Sequence, residues 1–379
     1  MSLRVPVSSS VMDWALQRAG LSVEDLDHAT QRWVIPGEAP TLAQLEGFAQ
    51  RTGVPFGYLL LDEPPKLNLP VPDFRSGYTA MAGEPSANLV AVLDQSERRQ
   101  AWYKEFAEAN GLGELGFVGS AADMKPAEAA GEMRRTLSFE VSDRRGSWAD
   151  TRRTLIRNFE ELGGLAIATS MVGNKTRKLL DPNEFRGFSF VDTTAPLVFV
   201  NTNQTMNGQI FTLAHELAHV WHGQSGIDSP EISITPDSPT ERWCSLTASH
   251  FLVPREDLKE RMDKLPKQEL PLKLDALARA YKCGTLVILQ ALRDSRLVEF
   301  ENFGATYAAE EARLDGFVKE GGGGGDFYNS QPLRASERLS RAVLQETSEG
   351  RTTLSEALSL MSMKSPATLD EYAKRLGAA

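Results

Sequence analysis

The sequence predicts an α+β protein that is mostly helical and has a small β-sheet near the middle of the chain. Three short apolar runs, at residues 165–168, 188–191 and 197–200, read as strands. Clustered helical patterns follow them, which is typical of α+β domains. Apolar residues also recur at i, i+3 and i+4 spacing on both sides of this region. Helical N-terminal and C-terminal regions are therefore expected to flank the sheet.

The N-terminal part of the chain predicts a small helical module over residues 1–70. Helical periodicity extends from Val11 to Leu61, and Ser22 and Thr41 are well placed as helix N-caps. Prolines after residue 63 interrupt the helical pattern. We expect residues 71–125 to form a connector that contains a helix from about Asn88 to Asn110.

The middle of the chain, residues 126–300, predicts the domain that holds the sheet. Polar capping residues and prolines delimit its helical patterns. The expected helices cover residues 127–137, 148–162, 215–222, 240–252, 274–282 and 286–293.

The last region, residues 301–379, predicts helices after a glycine-rich joint. Helical patterns cover residues 335–347 and 353–361, and a short helix begins near Thr368. The run Gly321–Gly325 lacks the lysine and hydroxyl residue of a phosphate-binding loop, so a flexible joint or a glycine-lined turn is expected.

Composition excludes several classes of protein. Acidic residues outnumber basic ones by 51 to 41 over 379 residues, and this net charge of −10 disfavours a general nucleic-acid binder. The two cysteines, Cys244 and Cys283, make no disulfide framework and fit a reducing compartment. Apolar runs are far shorter than the ~20 residues of a membrane span. A cytoplasmic protein without a membrane segment is expected.

The segment His215-Glu216-Leu217-Ala218-His219 predicts a metal site. Histidines four residues apart on a helix lie only ~40° apart in rotation and ~6 Å apart along the axis, so both imidazoles can bind one ion. Glu216 can then reach a water molecule on that ion and act as a general base.

A catalytic zinc site needs a third protein ligand and leaves one position for water. Glu241 is the expected ligand because it opens the next helix, while Glu231 and Asp237 are competitors in the preceding loop. His222 is a candidate for contacting the ligands from one turn further on. His250 is a candidate for stabilising an oxyanion, although a structural role is also open to both.

These motifs resemble the ImmA/IrrE family of bacterial zinc metallopeptidases. The resemblance is carried by Phe211-Thr212-Leu213-Ala214 before the two histidines, by Glu241 three residues before Cys244-Ser245, and by Phe251-Leu252-Val253-Pro254. It implies a zincin-like fold, Zn²⁺ held by His215, His219 and Glu241, and Glu216 as catalytic base. Cys244 and Ser245 stand where the family usually has alanine and asparagine, which places the substrate-side contacts in question.

The block from Gly20 to Glu46 is similar to the Xre/Cro helix-turn-helix module that is often fused to this peptidase. Residues 1–70 carry eight acidic and five basic residues, and Pro36 and Gly37 shorten the space for a recognition helix. A degenerate module that does not bind DNA is therefore expected.

Three functions follow as hypotheses. The first is a zinc endopeptidase that cleaves a regulatory protein such as a repressor, in response to stress or mobile-element induction. The second is an antitoxin or regulatory interaction protein with a structural or latent zinc site, which binds the product of a neighbouring gene. The third, a DNA-binding repressor, is disfavoured by the acidic charge.

Overall fold

A computed structural model describes residues 4–19, 21–34, 39–65, 85–227, 238–315 and 327–378. The chain divides into two compact units, with the boundary between Asp94 and Gln95 inside one long helix. The first unit contains the N-terminal residues, and the second contains the sheet and the C-terminal helices. The Gly321–Gly325 run lies outside the described residues.

The first unit contains short helices around one apolar core. Thr41 caps the third of them: its hydroxyl accepts from the Gln44 N–H, and the Gln44 side chain accepts from the Thr41 N–H. At Ser22, the N-cap of a 3₁₀ turn, the Asp25 carboxylate accepts from both the N–H and the hydroxyl of Ser22, so Ser22 and Thr41 both occupy the predicted N-cap positions. The elements are α1 (Ser9–Arg18), α2 (His28–Val34), α3 (Leu42–Thr52) and 3₁₀ turns at Val23–Asp25 and Phe56–Leu60.

The second unit is built on a four-stranded mixed sheet with the order β1-β3-β2-β4. Strand β3 runs parallel to β1 and antiparallel to β2, and β4 pairs antiparallel with β2. Every strand residue is buried, as expected for strands covered on both faces. The strands are β1 (Leu165–Thr169), β2 (Gly187–Phe190), β3 (Leu197–Asn201) and β4 (Gly226–Ile227).

Helices account for most of the second unit, so the predicted α+β class is confirmed. They are α4 (Ala87–Ala109, which begins before the boundary), α5 (Pro126–Thr136), α6 (Trp148–Glu161), α7 (Met206–His222), α8 (Pro239–Leu252), α9 (Arg255–Lys264), α10 (Leu270–Tyr281), α11 (Thr285–Asp294), α12 (Phe303–Asp315), α13 (Phe327–Ala335), α14 (Glu337–Ser348), α15 (Leu354–Leu360) and α16 (Pro366–Leu376).

The central helix α7 packs against strands β2 and β3 on one side and against α8 on the other. Its residues from Gln209 to Trp221 are all buried. A helix that is buried on every face must satisfy its polar side chains inside the protein. The buried polar side chains of α7 are therefore candidates for a functional site.

The C-terminal helices cover one edge of this sheet. Helices α13 and α14 pack against β1, which is an edge strand. No helix in the described part of the chain is long and apolar enough to cross a membrane.

Candidate metal centre

Helix α7 places the two histidines of the motif side by side on one face. The Nε2 atoms of His215 and His219 are 3.2 Å apart, and both rings are almost completely buried. Their positions follow directly from the four-residue spacing on a regular helix.

Glu241 reaches the same point from the first turn of α8. Ser238 caps this helix and accepts from the Glu241 N–H, which fixes the start of α8 beside α7. The Glu241 carboxylate lies 3.0 Å from His215 Nε2 through Oε2 and 3.1 Å from His219 Nε2 through Oε1. The three residues are the metal-capable group found among the described residues.

The tautomer of His219 tests whether this group fits a metal ion. His219 Nδ1 lies 3.0 Å from the carbonyl oxygen of Gln224, which only accepts hydrogen bonds, so Nδ1 carries the proton in a neutral ring. Nε2 of His219 is then a lone pair that faces the Glu241 carboxylate. Two acceptors at 3.1 Å repel each other unless a cation, either a proton or a metal ion, stands between them.

The separations also suit a metal ion. Ligand atoms about 2.0–2.1 Å from a tetrahedral ion are about 3.3 Å from one another. The three measured separations, 3.0, 3.1 and 3.2 Å, are close to that value. The donor set of two imidazoles and one carboxylate therefore fits a divalent metal such as zinc, which would be held by His215, His219 and Glu241.

The charge state of Glu241 is consistent with binding a metal ion. Burial by itself would raise its pKa, but the neighbouring His215 and His219 imidazoles, when a proton takes the place of the cation between them, outweigh burial and hold the pKa of Glu241 well below its usual range. The side chain is therefore an anion at neutral pH, as a metal ligand must be.

Glu216 directly follows His215 in the sequence and is not one of the three metal-capable residues. Its side chain is completely buried and points toward strand β2, where Oε1 lies 2.6 Å from the position that a Cβ atom would take at Gly187. A carboxylate beside a metal-capable group, but outside it, can exchange protons with a water molecule bound there.

Two neighbours of the histidines were not expected in these roles. Gly223, with φ of +85°, ends α7, and the chain then folds back so that Gln224 contacts His219. Ser245 Oγ lies 3.4 Å from His215 Nδ1, so this residue faces a predicted ligand. Gly223, directly after the last helical residue, was the sequence signal for the contact between Gln224 and His219. The contact between Ser245 and His215 had no such signal.

The structure does not bring the other candidates into the group. His222 is half-buried and packs edge-on against Trp243, with ring centroids 4.6 Å apart; burial, then the nearby His219, lowers its pKa. His250 lies in the last turn of α8, and burial lowers its pKa. Cys244 packs in the apolar core. Glu231 and Asp237 lie outside the described residues.

One comparison with known protein families covers the part of the chain that carries the candidate site. Residues 335–375 match a domain family of unknown function, DUF8813. No significant match to a curated protein or to a solved structure was found. Residues 169–293, which carry α7, α8 and all the candidate site residues, match the peptidase M78 family, whose model is described as the IrrE N-terminal-like domain. The part of the chain that contains the metal-capable group is therefore similar to a family of metallopeptidases.

Proposed function

We propose that this protein is a zinc-dependent endopeptidase that cleaves a regulatory protein. The observation that carries the proposal is the buried group of His215, His219 and Glu241 with Glu216 beside it. This group lies inside the segment that matches the M78 peptidases. Two histidines and a glutamate are a ligand set of catalytic zinc sites, which keep one position open for water.

Each residue has a distinct task in this mechanism. Zinc at these ligands would supply Lewis acidity, which lowers the pKa of water and polarises a peptide carbonyl. Glu216 accepts a proton from the attacking water and passes it to the leaving amine. Gln224 and Ser245 hold the two imidazoles in orientation through their Nδ1 atoms.

We further propose that an extended substrate lies along the β4 side of the sheet. An extended peptide can add to an exposed strand edge by main-chain hydrogen bonds. Helices α13 and α14 pack on the β1 edge, and the inner strand β3 is paired on both sides. The β4 edge directly follows the helix that carries both histidines.

The test replaces the general base and keeps the ligands. Glu216→Gln should retain bound zinc but lose cleavage by about 10²–10⁴-fold, because the amide cannot accept the proton. Purified full-length protein would be incubated with a proteome-derived peptide library, and new termini would be identified by mass spectrometry. Zinc content would be measured by elemental analysis.

Glu256→Gln is the matched control, since this glutamate is exposed on α9. It should retain both zinc and cleavage. Cleavage by Glu216→Gln at the wild-type rate would exclude the mechanism.

An alternative function is that of an antitoxin or regulatory interaction protein. The observation in its favour is that the M78 match leaves the first unit and the α14–α16 region outside it. The first unit would then be a degenerate helix-turn-helix module that binds protein instead of DNA. A partner that copurifies equally with wild type and Glu216→Gln would favour this function.

A further inference from the structure

Gly187 is the first residue of β2 and pairs with Val200 on β3. A methyl group on its Cα would lie 2.6 Å from Oε1 of Glu216, 2.6 Å from Cγ2 of Thr212 and 2.8 Å from the Phe199 carbonyl oxygen. Real Cβ atoms essentially never approach other atoms within 3.0 Å. Even a methyl group at this position would therefore require at least one of these neighbours to shift.

Space, and not backbone conformation, is the reason for glycine here. Gly187 is not among the residues with positive φ, so its backbone is open to any amino acid. Glycine within a strand weakens the strand and often marks a close approach of another group. At Gly187 the approaching group is the carboxylate of Glu216.

The surroundings leave that carboxylate little freedom to retreat. Glu216 is 0% exposed and Thr212 is 1% exposed, one turn before it on α7. The third obstacle, the Phe199 carbonyl, is backbone of the central strand. In a close-packed interior, a displaced side chain must move its neighbours as well.

We propose that Gly187 is a positioning residue for Glu216, and that β2 forms the wall against which the carboxylate rests. None of the three predicted ligands is among the nearest atoms to the missing side chain. A methyl group at residue 187 would therefore displace the base and leave the ligands in place. The expected effect on catalysis rests on the proposed role of Glu216 as general base, whereas the contact between Gly187 and the Glu216 carboxylate does not.

The first experiment measures the contact without any substrate. Urea unfolding midpoints of the full chain would be compared for Gly187→Ala, Glu216→Ala and the double variant. Gly187→Ala should lower the midpoint, and the double variant should recover at least half of the drop that alanine causes at residue 187, because the displaced group is gone. If Gly187→Ala lowers the urea midpoint equally in the wild-type protein and in Glu216→Ala, the inference is overturned.

Two controls separate this contact from general packing. Gly116→Ala adds a methyl group where no atom lies within 4 Å, so it should leave the midpoint unchanged. Thr212→Ser removes the other side-chain obstacle, Cγ2. Recovery by Thr212→Ser but not by Glu216→Ala would show that Gly187 only makes room for the helix, and would overturn the inference.

If Gly187→Ala does not fold, circular dichroism of the double variant decides the question. A folded Gly187→Ala/Glu216→Ala protein supports the contact. A double variant that also remains unfolded overturns it, because the Phe199 carbonyl then dominates.

The second experiment uses a peptide that the wild type cleaves. Gly187→Ala should lower kcat by about 10-fold or more, since small displacements of a reacting group are costly. KM and zinc content should stay within twofold. Wild-type kcat in Gly187→Ala would overturn the inference and leave the proposed function standing. If the wild type cleaves nothing, the proposed function fails and the unfolding experiment still decides the contact.

Discussion

His219 takes its orientation from the end of its own helix. Its Nδ1–H donates to the Gln224 carbonyl across the turn at Gly223, and this bond leaves Nε2 as the atom that faces Glu241. A hydrogen bond on one ring nitrogen fixes which nitrogen can bind a metal ion. The hydrogen bond to Gln224 thus orients His219 independently of any bound ion.

Glu241 supplies the negative charge of the group, and its removal is the first prediction at this scale. Glu241→Gln keeps the size of the side chain but replaces an anionic ligand with a neutral amide. We expect the zinc affinity to fall by at least about 10²-fold. The loss of a hydrogen bond that only orients a ligand would lower the affinity less. Competition with a chromophoric chelator measures this affinity.

The control for this prediction is again Glu256→Gln on α9, which should bind zinc as the wild type does. An unchanged zinc affinity in Glu241→Gln would contradict the assignment of the third ligand and direct attention to the residues between β4 and α8.

Residues whose positions follow from local geometry could be predicted from the sequence. The spacing of His215 and His219 on one helix determines that their rings meet, and Glu241 stood out because it begins the next helix. Gly187 and Ser245 could not be recognised in the same way. Each meets the site through the pairing of β2 with α7 or of α8 with α7, which the local sequence does not encode.

At the scale of elements, two arginines bind the C-terminal end of α8. Arg144 is 4% exposed, and its guanidinium donates to the carbonyls of Phe251 and Leu252 on α8 and of Tyr281 at the end of α10. Arg134 donates to the carbonyl of His250. Cations at helix C-termini are stabilised by the orphan carbonyls and the helix dipole. These contacts hold the helix that carries Glu241.

Replacing Arg144 tests this arrangement. Burial lowers the pKa of Arg144 to about 10, so the guanidinium remains charged at neutral pH. Arg144→Met removes the charged donor and leaves buried carbonyls without it. We expect the free energy of unfolding to fall by about 3 kcal/mol or more, measured in urea.

Arg145→Met is the matched control, because this neighbour is exposed. Its effect should stay within about 0.5 kcal/mol. A similar loss in both variants would mean that the contacts with α8 and α10 are not the source of the stability.

The elements themselves were largely predictable. Strands were expected at residues 165–168, 188–191 and 197–200, and the structure has them at Leu165–Thr169, Gly187–Phe190 and Leu197–Asn201. Strand β4 was missed because two residues carry no periodicity. The strand order was also out of reach, since it depends on pairings between distant segments.

At the scale of the whole second unit, buried charged groups attach the C-terminal helices. Arg99 on α4 donates to the carbonyls of Arg334 and Leu360 at the ends of α13 and α15. Glu160 at the end of α6 accepts from the Ser336 hydroxyl and from backbone N–H groups of Ala166 and Arg338. Its carboxylate thus binds both the edge strand β1 and the first turn of α14.

Glu160 predicts a pH dependence of stability. Burial raises its pKa to about 7 in the folded protein, despite the hydrogen bonds that it accepts, from an ordinary value of 4.5. Because the folded state binds this proton more tightly than the unfolded state does, the stabilisation of the fold by protonated Glu160 is fully present below about pH 4.5. It is lost as the pH rises through about 7.

Glu160→Gln should remove this dependence. The difference in unfolding free energy between wild type and Glu160→Gln should change by about 3 kcal/mol between pH 4.5 and 8, to the disadvantage of the wild type. Urea titrations across this range measure it. Glu161→Gln, at the exposed neighbouring position, should follow the wild type. A constant difference between wild type and Glu160→Gln would contradict a raised pKa.

The cover on β1 has a practical consequence for anyone who shortens this chain. The M78 match begins at Thr169, the last residue of β1, so a fragment cut at that match would discard nearly all of the strand together with α6 and the helices after Phe327. Strand β3 would become an exposed edge strand, and exposed edge strands pair with strands of other molecules. We expect a fragment trimmed to this match to aggregate, so its lack of activity would not test the function proposed for the whole chain.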